Sequence, residues 1–109
     1  MKYRLLILFL CISSSAFAQL RVMSYNIRYG EAKDGINSWE KRCVATPAMI
    51  YDVRPEVFGV QEALTDQLEY VLKMCPIYKE VGVGREDGAD GGEHMSVFYN
   101  TDSLKLITW

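Results

Sequence analysis

Asn26 and Glu62 are two side chains that follow predicted buried strands and carry the oxygen atoms preferred by a hard cation. Asn26 lies at the exit of the first strand, and Glu62 directly follows a second strand at 57–61. Strands of one β-α-β unit end at the same edge of a sheet, so we expect the two side chains to converge there. One carboxylate, one amide oxygen and water molecules suit Mg²⁺, which polarises a phosphoryl oxygen and stabilises a leaving alkoxide.

Each of these residues also has a purely structural interpretation. An amide at a strand exit commonly holds the following loop through hydrogen bonds to the backbone. A carboxylate at the same edge needs a cation or a strong donor, since an unpaired buried charge is unfavourable. The partners available to Glu62 for an ion pair are three arginines, namely Arg28, Arg42 and Arg85. The residue types alone leave both interpretations open.

The glycine-rich loop at 82–92 and the residues that follow it supply further candidates. Arg85 could contact a substrate phosphate through two parallel hydrogen bonds, and Glu93 could hold a water molecule or the ion from a greater distance. The alternative is a solvated loop whose charges neutralise one another. The glycines do not form a dinucleotide-binding fingerprint, because loop and strand follow them rather than a helix. His94 stands alone at a strand start, which favours a structural role.

The elements that must position these residues follow from periodicity and turn signals. We predict strands at 20–27, 57–61, 78–83, 95–99 and 104–109, with helices at 39–53 and 66–74. The order β-α-β-α-β-β-β indicates an α/β fold. Pro47 is expected to kink the first helix or break it near Val44, because proline lacks an N–H donor. The last two strands are expected to pair antiparallel across the turn at 100–103.

The N-terminus predicts an exported protein. A basic start, an apolar run and Ala16-Phe17-Ala18 together form a signal peptide at 1–18, and the apolar run is too short to span a bilayer. Cys11 raises a lipoprotein as the less favoured alternative. We therefore expect a periplasmic or extracellular protein without stable membrane insertion.

Charge and cysteine content narrow the function classes. Lys2 and Arg4 lie in the signal peptide and no acid does, so its removal shifts the net charge from −2 to −4. An acidic chain has no global attraction for nucleic acid or anionic membranes. Cys43 and Cys75 are expected at distant helix ends, beyond bridging range, and therefore as free, partly buried thiols.

Four segments of the chain resemble the endonuclease/exonuclease/phosphatase superfamily, the deoxyribonuclease I-like hydrolases, in a secreted bacterial branch. They occur in the order of the family and cover most of the chain after the signal peptide. These segments are RVMSYNIRYG (21–30), NSWEKR (37–42), RPEVFGVQEA (54–63) and VGVGREDGADGGEHMSVFY (81–99).

The resemblance implies half of a four-layer αββα sandwich and a metal-dependent hydrolase of phosphoester bonds. It assigns Asn26 and Glu62 to the metal site, with Mg²⁺ as the ion and Mn²⁺ as an alternative. Arg85 and Glu93 match a recurring arginine and glutamate that we associate with substrate binding. The implied reaction is a single attack by water on a phosphoester, with the metal stabilising the transition state.

The chain departs from the family pattern in length. The family domain is usually well over twice as long, and its later half supplies an Asp and Asn pair and an Asp-His couple that activates water. His94 lies too early to serve as that histidine. We therefore expect 19–109 to be the N-terminal part of a truncated domain, with little or no turnover. The alternative is an exported, non-enzymatic binding protein that retains the front half of the fold.

The sequence does not decide whether the substrate is a small molecule or a nucleic acid. The acidic charge of the chain favours a small phosphoester.

Overall fold

The computed structural model describes residues 19–109, so the predicted signal peptide at 1–18 lies outside the described residues. These residues form four strands and three helices in the order β-α-α-β-α-β-β, and a 3-10 turn, Gly35–Asn37, precedes the first helix. Within this part of the chain, no helix combines the length and the apolar character needed to cross a membrane. The strands are β1 (Val22–Asn26), β2 (Val57–Ala63), β3 (Tyr78–Val81) and β4 (His94–Asn100), and the helices are α1 (Trp39–Arg42), α2 (Ala45–Val53) and α3 (Thr65–Met74).

The four strands form one mixed sheet in the order β1-β2-β4-β3. β1 and β2 run parallel, and their register places Asn26 beside Gln61. β4 runs antiparallel to both β2 and β3. Because β1 and β2 are parallel, their carboxyl ends lie at the same edge of the sheet, as the sequence predicted.

The hydrophobic core lies between one face of this sheet and the helices. Phe58 and Phe98 stack with ring centroids 4.8 Å apart, and Phe58 meets the edge of Tyr78 at 5.2 Å. The Tyr78 hydroxyl donates to the Pro55 carbonyl at 2.7 Å, which satisfies the polar end of a buried ring. The α/β fold class is therefore confirmed. The remaining buried core residues are Ile27, Trp39, Ile50, Val60, Ala63, Leu68, Val71 and Cys75.

The predicted break in the first helix is confirmed. Val44 keeps helical backbone angles between α1 and α2. Pro47 lacks an N–H group to donate to the Cys43 carbonyl, and the Thr46 N–H reaches that carbonyl instead at 3.3 Å. The helical hydrogen-bond ladder is thus interrupted at the residue that the sequence indicated. Among the described residues, Cys43 and Cys75 are both free thiols, Cys75 buried and Cys43 partly buried.

One predicted strand is wrong, and one helix differs by a residue from its predicted start. Residues 104–109 do not form a strand with 95–99, so the last strand in the predicted order is absent from the described residues. The reason is that β4 is an interior strand whose two edges already pair with β2 and β3. The helix predicted at 66–74 begins one residue earlier, at Thr65, whose hydroxyl donates to the Asp90 carbonyl at 2.8 Å.

The second face of the sheet is open to solvent. Val22, Met95 and Val97 on this face are 67%, 79% and 42% exposed. The described elements therefore form a sheet with helices on one side, which is one half of the two-sheet sandwich that the sequence predicted.

Candidate functional site

Asn26 and Glu62 meet at the carboxyl edge of the sheet. The Asn26 side-chain amide, Nδ2, donates to Glu62 Oε1 at 3.0 Å. The pairing of β2 with β4 shifts register between Val60 and Ala63, so Glu62 lies in a β-bulge inside β2 rather than just beyond its end. A bulge re-aims side chains and is frequent beside active sites. The predicted convergence of these two side chains is present in the fold.

The backbone around this pair adopts left-handed angles at two residues other than glycine. Arg28 has φ of 65° and Glu62 has φ of 62°. Such angles are unfavourable for residues with a Cβ and cluster at functional sites. As a result, two successive backbone groups point at the pair. The Arg28 N–H donates to Asn26 Oδ1 at 2.8 Å, and the Tyr29 N–H donates to Glu62 Oε2 at 3.1 Å.

These hydrogen bonds keep Glu62 ionised. The Asn26 amide is the largest influence that lowers the pKa of the Glu62 carboxyl, followed by the Tyr29 N–H, against a smaller opposing effect of burial. None of the three arginines forms an ion pair with Glu62. Arg28 pairs with Asp34 at 3.0 Å, and Arg42 donates to the Ile27, Arg28 and Asn37 carbonyls. Glu62 thus carries a negative charge that no neighbouring cation neutralises by direct contact.

Arg85 and Glu93 form an ion pair with each other, with Nη1 and Oε2 2.7 Å apart. The Arg85 side chain is 74% exposed, so this pair contributes little to stability. Both residues nevertheless line the same cleft as Asn26 and Glu62, so the structure brings all four predicted site residues together. The other residues of this cleft are Gln61, Val81, Gly82, Val83, Met95, Val97 and Trp109.

His94 lies outside this cleft. Its side chain is buried, and Nδ1 is 3.2 Å from the Gly92 carbonyl oxygen. A buried ring bonded to its own loop has a structural role, as the sequence indicated.

The donor set fits a partly hydrated divalent cation. Across residues 19–109, no group of three or more His, Cys, Asp or Glu side chains converges on one point, so these residues do not form an all-protein metal cage. Mg²⁺ does not require one, because it keeps several water ligands and is commonly held by one or two carboxylates. The Glu62 carboxylate and the Asn26 amide oxygen are donors of the type that such an ion takes.

Sequence reasoning missed Gln67, a fully buried residue near the start of α3. Its Nε2 donates to the Arg28 carbonyl at 2.9 Å, in the loop that follows Asn26. A signal was present in the sequence. Gln67 occupies a helical spacing shared with the apolar residues Leu64, Leu68 and Val71, where a glutamine is out of pattern.

The chain is similar to solved structures of one family over about a third of their length. No protein-family model matches the chain, and no curated protein sequence matches it. An endonuclease/exonuclease/phosphatase structure from Bacteroides vulgatus matches with a TM-score of 0.79 and 32% identity, covering 82% of this chain and 34% of that one. A mannosyl-6-phosphatase from Bacteroides thetaiotaomicron matches with a TM-score of 0.78 and 35% identity, covering 83% of this chain and 34% of that one.

A second Bacteroides thetaiotaomicron structure, described as an endonuclease/exonuclease/phosphatase family protein, has a TM-score of 0.77 and 35% identity. The match covers 82% of this chain and 33% of that one. The predicted relationship to the endonuclease/exonuclease/phosphatase superfamily is therefore confirmed, over a segment that spans about one third of the length of these solved proteins.

Proposed function

We propose that this chain carries the metal-binding part of the active site of a phosphoester hydrolase that depends on Mg²⁺ or Mn²⁺. The observation that carries the proposal is the contact between the ionised Glu62 carboxylate and the Asn26 amide at the sheet edge. Similarity to family structures at 32–35% identity supports the same reaction class.

Each residue of the cleft has a distinct role in this proposal. Glu62 and Asn26 hold the ion, which supplies a Lewis acid that polarises a phosphoryl oxygen. The exposed Arg85 guanidinium binds the phosphate oxygens of the substrate, a planar recognition to which arginine is well suited. Glu93, at 2.7 Å from Arg85, orients that guanidinium before the substrate arrives.

The substrate that the chain fits best is a small phosphomonoester such as a sugar phosphate. One of the similar structures is a mannosyl-6-phosphatase. The net charge of −2 gives the protein no overall attraction for a polyanionic nucleic acid. The only histidine in the sequence, His94, is buried outside the cleft, so these 109 residues lack a histidine to activate water and little or no turnover is expected from them alone.

Metal titration of three proteins tests the proposal. Mn²⁺ binding is measured by calorimetry for wild type, Glu62→Gln and the matched control Glu69→Gln, which changes an exposed carboxylate on α3 outside the cleft. We expect Glu62→Gln to weaken binding at least tenfold and Glu69→Gln to leave it unchanged. A second titration adds mannose 6-phosphate to the Mn²⁺-loaded wild type and to Arg85→Met, and only wild type should bind it. Equal Mn²⁺ affinity in wild type and Glu62→Gln would contradict the metal site.

A further inference from the structure

The Arg28–Tyr29 peptide joins two sets of hydrogen bonds, one at its N–H and one at its carbonyl, which point in opposite directions. Its N–H, from Tyr29, donates to Glu62 Oε2 at 3.1 Å. Its carbonyl, from Arg28, accepts from Gln67 Nε2 at 2.9 Å and from Arg42 Nη2 at 3.1 Å. The carbonyl and N–H of a trans peptide are held in one rigid plane. Any rotation that breaks the contacts to Gln67 and Arg42 therefore also moves the donor to Glu62.

Gln67 contacts this peptide through a side chain whose orientation is fixed by hydrogen bonds at both ends of its amide. Its side chain is fully buried, and its Oε1 accepts the Leu64 N–H at 3.0 Å at the start of α3. One amide thus connects the helix that follows Glu62 with the loop that follows Asn26. The loop passes directly over it, since a Cβ added at Gly30 would lie 2.8 Å from Gln67 Cδ. A buried amide with both ends bonded has a single favourable orientation.

Arg42 holds the same loop from α1. Its guanidinium donates to the Ile27 carbonyl at 2.7 Å and to Arg28 and Asn37, so three carbonyls share one rigid fork. The left-handed Arg28 lies between two of the anchored groups. Because that conformation is intrinsically unfavourable, surrounding contacts must maintain it. Besides Asn26, which accepts the Arg28 N–H, Arg42 and Gln67 contact the backbone of Arg28 from two different helices.

We propose that Gln67 and Arg42 are positioning residues for the metal site: by fixing the Arg28–Tyr29 peptide, they direct the Tyr29 N–H to Glu62 and set the direction in which its carboxylate faces the ion. The metal part of this inference rests on the proposed function. Neither residue lines the cleft, so both act through the peptide. Groups that orient metal ligands in this way typically change metal affinity by about 10–100-fold when they are substituted.

The test combines backbone hydrogen exchange with metal affinity in the full chain. Gln67→Met keeps the length and apolar stem of the side chain but removes its donor and acceptor. Arg42→Lys keeps the charge but removes the fork, and it provides a second route if Gln67→Met does not fold. The controls are Val71→Ala, which loosens the core on the same helix, and Lys41→Ala, an exposed neighbour of Arg42.

We expect Gln67→Met and Arg42→Lys to raise the exchange rate of the Tyr29 amide at least tenfold and to weaken Mn²⁺ binding about tenfold. Val71→Ala and Lys41→Ala should leave Mn²⁺ affinity within twofold of wild type. The positioning role is overturned if Val71→Ala weakens Mn²⁺ as strongly, or if Tyr29 exchange rises with no change in affinity. If wild type itself does not bind Mn²⁺, the proposed function fails, while unchanged Tyr29 exchange in both variants would still refute the anchoring of the peptide.

Discussion

Glu62 accepts hydrogen bonds from two donors whose positions the fold fixes, a side-chain amide from β1 and a backbone N–H from the loop that follows it. Both donors favour the charged form of the carboxyl, which explains why its pKa lies below the ordinary value. The neighbouring arginines are occupied elsewhere, Arg28 by Asp34 and Arg85 by Glu93. At the scale of single residues, Glu62 is therefore an ionised carboxylate that forms no ion pair with a neighbouring arginine.

The lowered pKa of Glu62 predicts the pH dependence of metal binding. A group whose pKa is depressed stays charged until the pH falls through that lowered value, so its contribution is complete above the ordinary glutamate pKa of about 4.3 and is lost only below it. We expect Mn²⁺ affinity to stay level from pH 8 to about pH 5 and to decline below about pH 4.3. Calorimetric titration across this range checks the prediction.

Asn26→Ala is the informative comparison for this pH profile, because it removes the donor with the largest effect on the Glu62 pKa. The midpoint of the acid-side decline should move to higher pH, whatever the change in absolute affinity. A midpoint that is the same in wild type and Asn26→Ala would show that the amide does not tune the carboxyl.

The site was predictable in part. The convergence of Asn26 and Glu62 was predictable, because parallel strands in a β-α-β unit end at the same edge of the sheet. The left-handed angles at Arg28 and Glu62 were not predictable, since neither residue type favours φ above zero. At Arg28, the carbonyl is held by contacts from Arg42 and Gln67, which lie 14 and 39 residues away from it along the chain.

At the scale of elements, α2 ends in a left-handed residue. Arg54 has φ of 49° and its N–H donates to the Ile50 carbonyl at 2.8 Å, which closes the last turn. Glycine is the usual residue for this conformation because it has no Cβ to clash. Arg54 is exposed, and Pro55 follows it and stops the helix. The end of α2 thus carries strain that is separate from the site.

We predict that Arg54→Gly stabilises the protein by up to about 1 kcal/mol, because it removes the left-handed penalty at the end of α2. Urea unfolding followed by circular dichroism measures the change. The control is Asp52→Gly, an exposed position two residues earlier inside the helix, where glycine should destabilise by about 0.5–1 kcal/mol. Destabilisation by both substitutions would contradict the assigned cap.

Local elements were more predictable than their arrangement. Pro47 and Pro55 marked the break and the end of the helical region, because proline acts through its own backbone. The interior position of β4 between β2 and β3 depends on pairing between distant segments and left no local signal. The predicted hairpin of 95–99 with 104–109 is absent for that reason. The turn after Asn100 is present, but both edges of β4 already pair with β2 and β3, so 104–109 cannot pair with it.

At the scale of the whole molecule, the sheet has one packed face and one open face. The open face presents Val22, Met95 and Val97 to solvent, while Phe58 and Phe98 on the other face are fully buried. Large apolar side chains exposed on a sheet face are typical of an interface or of a tendency to associate. The open face also extends into the cleft, because Met95 and Val97 line the cleft together with Glu62.

We predict that the open face drives self-association of the chain. The double substitution Met95→Thr and Val97→Thr removes apolar surface but keeps residues that suit a strand, so it should shift the protein toward the monomer. Sedimentation velocity over a concentration series measures this shift. Because both residues are exposed, the free energy of unfolding should change by no more than about 0.5 kcal/mol.

The matched control is Val60→Thr on the packed face, where Val60 is 2% exposed. This substitution should destabilise the protein by about 1–3 kcal/mol, because the buried hydroxyl would have no water molecule to bond. Association that persists unchanged in the double variant would assign it to another surface.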